Sequence, residues 1–320
     1  MKKSMIKEKQ ASPASITWFI GVDIGGTKTA VSIGSNDGTI KYKIKFSTKP
    51  IPMDVIEDIK VAIAGCLEKY PCEIAAIGIS CGGPLDAKRG VIQAPPNLPN
   101  WIDIPIVAIL HRVYGIPVFL QNDANASALA ELHWGNGQGC DNLIFLTFGT
   151  GMGAGLILDG KLYEGKNGLS GEVGHIRLSQ EGAECYGKKG SFESYCSGNG
   201  LRKMFELYYG ESLTGQQICA LAEEGEPRAS HIISLSAEYL GRGLAILIDI
   251  FNPDRIIIGS IFTRSESLFR ETMEKYLMME ALDQSRDACE ILPSKLKEEL
   301  GDKAALCVAL HAFSTREEIR

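Results

Sequence analysis

The sequence predicts an α/β protein, because apolar strand-like runs alternate with helix-spaced segments along most of the chain. A second observation divides it into halves. A strand, a glycine turn, a returning strand, a turn at Asp-Gly and a further strand occur near the N-terminus and again about 125 residues later, which suggests two related α/β lobes. Length agrees, since 320 residues are too many for one small core and suggest two domains of ordinary size.

Taken in order, Trp18 to Asp23 is an apolar strand that ends in an acid and runs into Ile24-Gly25-Gly26-Thr27-Lys28. Thr29 to Ile33 alternates as a second strand, Asn36-Asp37-Gly38 signals a hairpin turn, and Thr39 to Phe46 forms a third strand. Met53 to Tyr70 carries apolar residues at helical spacing, and Ile74 to Ser80 is a buried strand before the turn Cys81-Gly82-Gly83-Pro84. A proline-rich loop over 94–105 leads to a helix at Ile106 to Tyr114, a short strand at Val118 to Gln121, and a helix at Ala124 to Trp134. The second round begins with a strand at Asn142 to Phe148, the turn Gly149-Thr150-Gly151-Met152-Gly153, a strand at Ala154 to Leu158 and the turn Asp159-Gly160. Helices follow at Leu201 to Tyr209, Thr214 to Glu223 and Ala229 to Asn252. A last strand, Arg255 to Ile258, ends at Gly259-Ser260, and helices at Ser265 to Met279 and Lys303 to Phe313 close the chain.

Hydrophobic residues are 45% and charged residues 22%, the proportions of a globular enzyme. Thirty-three basic residues against 39 acidic leave a net charge of −6, which argues against general nucleic-acid binding, since phosphate-backbone affinity needs clustered positive charge. No apolar run approaches the ~20 residues that span a bilayer. The first fifteen residues are polar throughout and lack the apolar core of a secretory signal, so residues 1–16 read as a disordered leader. The nine cysteines are odd in number, scattered and without a CxxC pair; they read as reduced thiols of a cytoplasmic protein rather than a disulfide framework.

Several residues are placed where they can do chemistry. Two glycines after Asp23 form either a tight hairpin or a phosphate loop, in which exposed amides approach an anion and Lys28 adds charge. Asp23 would then hold a hydrated Mg²⁺ beside the phosphates; no Walker A pattern is present. Gly149, Gly151 and Ala154 match GxGxxA, the dinucleotide fingerprint, but a strand follows where that fingerprint requires a helix. NAD binding is therefore rejected and a second phosphate turn kept. Asn122-Asp123 lies at a strand end before a helix, where both residues are ordinary caps; the alternative is a general base for a sugar hydroxyl attacking a γ-phosphate. Glu172, His175 and Glu193, which follow the second turn, could hold a polyol through its hydroxyls.

Together these stretches resemble the ROK family of sugar kinases and repressors. Asp23 to Lys28 looks like its first phosphate motif, and Cys81-Gly82-Gly83-Pro84 like its sugar loop. Asn122-Asp123-Ala124-Asn125-Ala126 looks like its catalytic motif, and Phe148 to Gly153 like its second phosphate turn. Gly171-Glu172-Val173-Gly174-His175-Ile176 looks like its ExGH sugar motif, and Pro253 to Gly259 like the strand before its adenosine site. The resemblance implies a two-lobed actin-like ATPase (ribonuclease H-like) fold, with sugar and ATP meeting in the cleft. We expect a small lobe over 17–122 together with a C-terminal helix over 303–320, and a large lobe over 123–302. Carried over by position, Asp123 is the base, while Gly83, Asn122, Glu172, His175 and Glu193 surround the sugar. Gly25, Gly26, Thr27, Gly149, Thr150 and Gly151 cradle phosphates, and Gly259 borders the adenine.

Two departures stand out. The family pattern CxCGxxGCxE corresponds here to Glu184-Cys185-Tyr186-Gly187-Lys188-Lys189-Gly190-Ser191-Phe192-Glu193, so Glu184, Tyr186 and Ser191 stand at the three thiolate positions of a structural zinc. We expect that zinc to be absent. The strand that usually ends in two or three glycines ends in Gly259-Ser260. The activity expected is ATP-dependent phosphorylation of a hexose, glucose at its 6-hydroxyl, by a homodimer that binds neither nucleic acid nor membrane. Phosphorylation of N-acetylmannosamine or N-acetylglucosamine is the alternative within the class. A sugar-responsive repressor is the alternative outside it, and the 22 residues before Asp23 are too few for a helix-turn-helix.

Overall fold

In the computed structural model, residues 16–318 are described. Apart from Ile16, the expected leader lies outside the described residues, as do residues 319 and 320. The first half of the chain forms β1 (Trp18–Ile24), β2 (Lys28–Ser35), β3 (Ile40–Ser47), α1 (Pro52–Lys69) and β4 (Ile74–Cys81). It continues through the small hairpin β5 (Leu85–Asp86) and β6 (Val91–Ile92) to α2 (Ile106–Tyr114), β7 (Val118–Asn122) and α3 (Asp123–Trp134). The second half forms β8 (Leu143–Phe148), β9 (Met152–Leu158), β10 (Lys161–Leu162), a hairpin of β11 (Glu184–Cys185) and β12 (Lys188–Lys189), and α4 (Phe192–Tyr195). Then come α5 (Gly198–Tyr209), α6 (Gly215–Glu223), α7 (Pro227–Phe251), β13 (Arg255–Ile258), α8 (Ile261–Glu280), α9 (Asp283–Asp287), β14 (Glu290–Pro293) and α10 (Leu300–Glu318).

The repeat read from the sequence is a repeat of topology. One sheet runs β3-β2-β1-β4-β7 and the other β10-β9-β8-β13-β14. In each, three antiparallel strands are followed by two parallel ones. Strand alternation gives each sheet two apolar faces. In β1, Ile20 and Val22 join a core with α1 and α2, while Phe19 joins Leu306 and Ala309 of α10.

Two helices fill the space between the sheets. α10 lies on the first sheet because glycines let it approach: a Cβ on Gly78 would meet the Ala305 carbonyl at 2.2 Å, and one on Gly21 the Leu306 amide at 2.9 Å. α3 lies on the second sheet for the same reason, since a Cβ on Gly155 would meet the Ala124 carbonyl at 2.4 Å. Residues of α3, α10, β8 and β13 share one buried cluster between the sheets. Helices α5 to α8 cover the outer face of the second sheet. Among the described residues α7 alone is long and apolar enough to cross a bilayer, and it is a core helix with twelve buried residues.

The expected elements are present, with α8 and α10 starting earlier than their spacing suggested. The edge strand β14 was not foreseen, because Glu290–Pro293 is short and carries a proline.

Candidate active site

A strand-to-helix junction places Asp123. β7 ends at Asn122, whose side-chain oxygen accepts from the amides of Ala124 at 2.9 Å and Asn125 at 3.4 Å, capping α3. The Asn122 side-chain nitrogen faces Gly83, where a Cβ would sit 3.4 Å away. One residue thus serves as cap and cleft group. The Asp123 carboxylate accepts from the Ala124 amide at 2.9 Å and opens into a cavity of about 600 Å³, a size that suits a small-molecule site. It is reached from the cleft yet walled by protein, and this desolvation raises its pKa against the pull of the Ala124 amide.

The two glycine turns stand differently toward that cavity. Gly149, Thr150 and Gly151 line it; Asp23 lines it too, but Gly25, Gly26, Thr27 and Lys28 lie beyond. Gly26 packs on Asn97, a lining residue, so closely that a Cβ would come within 2.6 Å of the Asn97 carbonyl oxygen. None of Gly25, Gly26, Gly149 and Gly151 has positive φ, so missing side chains rather than left-handed backbone explain them. The amides of Gly26 and Thr27, and those of Thr150 and Gly151, have no protein acceptor among the described residues. Each turn therefore presents donors to an anion.

Residues 163–254 are inserted between β10 and β13 and carry the next set. Gly171 has φ +83° and lies so near β9 that a Cβ would meet the Ala154 carbonyl at 2.1 Å. It is followed at once by Glu172 and, three residues later, His175, both exposed into the cavity. Glu193 is fixed from behind by Phe192, which is fully buried against α7 where a Cβ on Gly243 would strike its ring at 2.3 Å. Removing such a ring costs about 3–5 kcal/mol, so Glu193 has a firm base. Its Oε2 accepts from the Met152 amide at 3.0 Å, tying it to the second glycine turn. Burial raises the Glu193 pKa, with the Met152 amide and His175 opposing.

Asp23 shares the cavity floor with Asp123 and lies beside Gly301, at the start of α10. Burial first, then the charges of Asp302 and Asp123, push its carboxyl up to about 7, while Lys45 and Lys43 pull the other way. Asp302 pairs with Lys43 at 2.6 Å, and Asp23 has no ion-pair partner among the described residues. Crowded carboxylates suit a cation. Mg²⁺ commonly takes one or two carboxylates, keeps several waters and shares phosphate oxygens, so Asp23 fits that role. No three His, Cys, Asp or Glu side chains among the described residues converge to hold a metal by themselves.

The family's three thiolate positions hold Glu184, Tyr186 and Ser191 in this chain. Glu184–Cys185 pairs with Lys188–Lys189, and the hairpin turns at Tyr186 (φ +49°) and Gly187 (φ +70°). The Ser191 hydroxyl caps α4, and the Cys196 thiol donates to the Ser236 carbonyl at 3.4 Å within the core. Basic side chains brace the loop instead. Lys188 donates to the His175 carbonyl at 2.6 Å, Lys203 to the Glu184 carbonyl at 2.6 Å, and Arg177 to the Lys189 carbonyl at 3.0 Å.

The cavity therefore gathers Asp23, Gly83, Asn122, Asp123, Gly149, Thr150, Gly151, Glu172, His175 and Glu193. It leaves out Gly259, whose missing Cβ makes room for Phe145 at 2.8 Å; Ser260, at φ +59°, lines the cavity in its place. Sequence reasoning missed Gln121 and Asn125. The Gln121 oxygen accepts from the Asn122 amide at 2.8 Å and from the Asn125 side chain at 3.1 Å, steadying the first turn of α3. The Asn125 side-chain oxygen is buried at the cavity without a protein partner among the described residues. Two amides four residues apart, Gln121 near the end of β7 and Asn125 in the first turn of α3, were the available signal.

Two sheets of one topology, a cleft between them, a carboxylate at its centre and amide-donating turns define a phosphotransferase of the two-lobed actin-like class. The ROK family model matches residues 19–312, so the chain belongs to the ROK family. It is 33% identical over 274 residues to a glucokinase of Streptomyces coelicolor, covering 80% of this chain and 86% of that one. It is 29% identical over 284 residues to a xylose repressor of Bacillus subtilis, covering 87% of this chain and 73% of that one. A ROK glucokinase of Streptomyces griseus, solved in complex with glucose and AMPPNP, superposes with TM-score 0.77 at 31% identity, covering 93% of this chain and all of that one. The chain is an ATP-dependent sugar kinase.

Proposed function

We propose that the chain transfers the γ-phosphoryl group of ATP to the 6-hydroxyl of a hexose, glucose being the substrate. The hydroxyl oxygen attacks the γ-phosphorus, the bond to the β-phosphate oxygen breaks to release ADP, and the hydroxyl proton passes to Asp123. The observation that carries this reading is the position of Asp123, a carboxylate with raised pKa facing both Glu172–His175–Glu193 and the second glycine turn across one cavity. Gly83, Asn122, Glu172, His175 and Glu193 hold the sugar hydroxyls, and the Thr150 and Gly151 amides hold phosphate oxygens. When bound, Mg²⁺ at Asp23 supplies charge neutralisation for the phosphates. Gly25, Gly26, Thr27 and Lys28 reach the nucleotide as the lobes close, and Gly259 acts by placing Ser260.

We take the lobes as 17–122 with the C-terminal helix, and 123–302; the seating of α10 on the first sheet and α3 on the second supports that division. Glucose is taken over an N-acetylhexosamine because the relative at 33% identity is named glucokinase. The test is ADP release over glucose, N-acetylglucosamine, N-acetylmannosamine, fructose, allose and mannose. The highest kcat/KM is expected with glucose. A higher value with an N-acetylhexosamine would move the substrate. Sugar binding without turnover on any of the six would favour a regulator.

A further inference from the structure

A pyranose ring offers hydroxyls at its rim and C–H groups on its faces. The residues assigned above serve the rim; a face needs an apolar wall. Tyr186 lines the same cavity as Glu172, His175 and Glu193, and among the described residues the only other Phe, Tyr or Trp lining it, Phe145, is fully buried. Tyr186 is 62% exposed as a residue, and its ring lies 5.4 Å from the His175 imidazole, tilted by 44°.

Its backbone is the second observation. Tyr186 and Gly187 form a two-residue hairpin turn with both φ values positive, +49° and +70°. The first place in such a turn favours Asn, Asp or Gly, and an aromatic residue there carries a conformational cost. Strain of that kind persists where the surroundings enforce it and clusters at ligand sites. Here the surroundings do enforce it. Lys188 binds the His175 carbonyl and Lys203 the Glu184 carbonyl, each at 2.6 Å, which locks the hairpin to the segment that carries the sugar ligands.

Resting on the hexose-kinase reading, we infer that the Tyr186 ring forms one wall of the sugar site and packs its face on the bound hexose. The ring stands where the family pattern has a thiolate, so this wall belongs to this chain. It contacts substrate without taking part in phosphoryl transfer.

The test uses the full chain, with glucose titrated calorimetrically in the absence of nucleotide and steady-state kinetics alongside. Tyr186→Phe keeps the ring and should bind glucose within about twofold of wild type. Tyr186→Asn removes the ring while supplying a residue the turn favours. Its glucose Kd and KM should rise roughly tenfold, its kcat and KM for ATP should stay within about threefold, and its melting temperature should hold or rise. Tyr186→Asn binding glucose within twofold of a wild type that phosphorylates hexose would overturn this inference alone. A melting temperature that falls in step with affinity would make the ring a structural prop and overturn it too. A wild type that neither binds nor phosphorylates any hexose would overturn the hexose reading and this inference together.

Discussion

The two sheets follow one strand order, yet the third strands lead to different things. After β3 the chain makes a single helix, α1, and returns directly to β4. After β10 it runs through residues 163–254 before returning at β13, and that detour holds Glu172, His175, Tyr186 and Glu193. The repeated frame builds a cleft with an amide-rich turn of each lobe near it; in the function proposed above, the insertion supplies the groups that tell one sugar from another. The turns differ as well. The second lines the cavity, whereas the first stands back behind Asp23 and Asn97. An asymmetric frame of this kind suits a site completed by lobe motion.

The largest expected effect comes from breaking the residue at which frame and insertion meet. Asp123→Asn is nearly isosteric and can still bind a hydroxyl but cannot take its proton. kcat should fall by roughly 10²–10⁴-fold, with the glucose Kd moved by less than about threefold. A variant that keeps more than half of wild-type kcat would remove Asp123 from the mechanism.

The join between insertion and frame can be broken next. Gly171 and Gly187 both have positive φ, but a Cβ on Gly171 collides with the Ala154 carbonyl whereas one on Gly187 meets nothing within 4 Å. Gly171→Ala should cost about 2–3 kcal/mol of stability and Gly187→Ala about 1 kcal/mol, read by denaturant unfolding. Equal losses would show that the contact with β9 does not hold the insertion in place.

A smaller effect concerns the frame alone. The Asp23 pKa is raised from 3.8 to about 7, so between those values the folded chain keeps a proton that the unfolded chain releases. Its contribution to stability therefore falls as pH rises through that window and levels off above it. Asp123 and Glu193, also raised, act in the same direction. The melting temperature of Asp23→Asn minus that of wild type, without nucleotide or Mg²⁺, should grow from pH 5 to pH 8. A difference that shrinks over that range would contradict the assignment.

The smallest effect is none. With Lys188, Lys203 and Arg177 bracing the hairpin, dialysis against a strong chelator should leave activity in excess Mg²⁺ unchanged. About one zinc per chain by elemental analysis, after purification without metal-affinity resin, would refute this.

Much of the frame was legible because β1, β4, β8 and β13 are short, largely apolar runs that each end at a glycine turn, the pattern of buried strands. Asp123 and the residues of the insertion were legible as motifs. The reach of each turn was not, since whether Gly25 or Gly149 borders a cavity depends on how α3 and α10 seat between the sheets. The Gln121–Asn125 pair stayed hidden because it bridges the end of β7 and the first turn of α3, and side-chain amides look alike in sequence whether they face water or each other. Tyr186 appeared only as a departure from a metal motif; its direction follows from a left-handed turn that spacing cannot reveal.

The central claim is that the frame delivers phosphate to a hydroxyl held by the insertion, and the product tests it most directly. Glucose and ATP are incubated with the chain, and phosphorus and carbon NMR follow the mixture while ADP is counted. The expected result is one phosphomonoester at carbon 6, formed one-for-one with ADP and not formed by Asp123→Asn. ADP accumulating with inorganic phosphate, and no sugar phosphate from glucose or any other hexose, would contradict it.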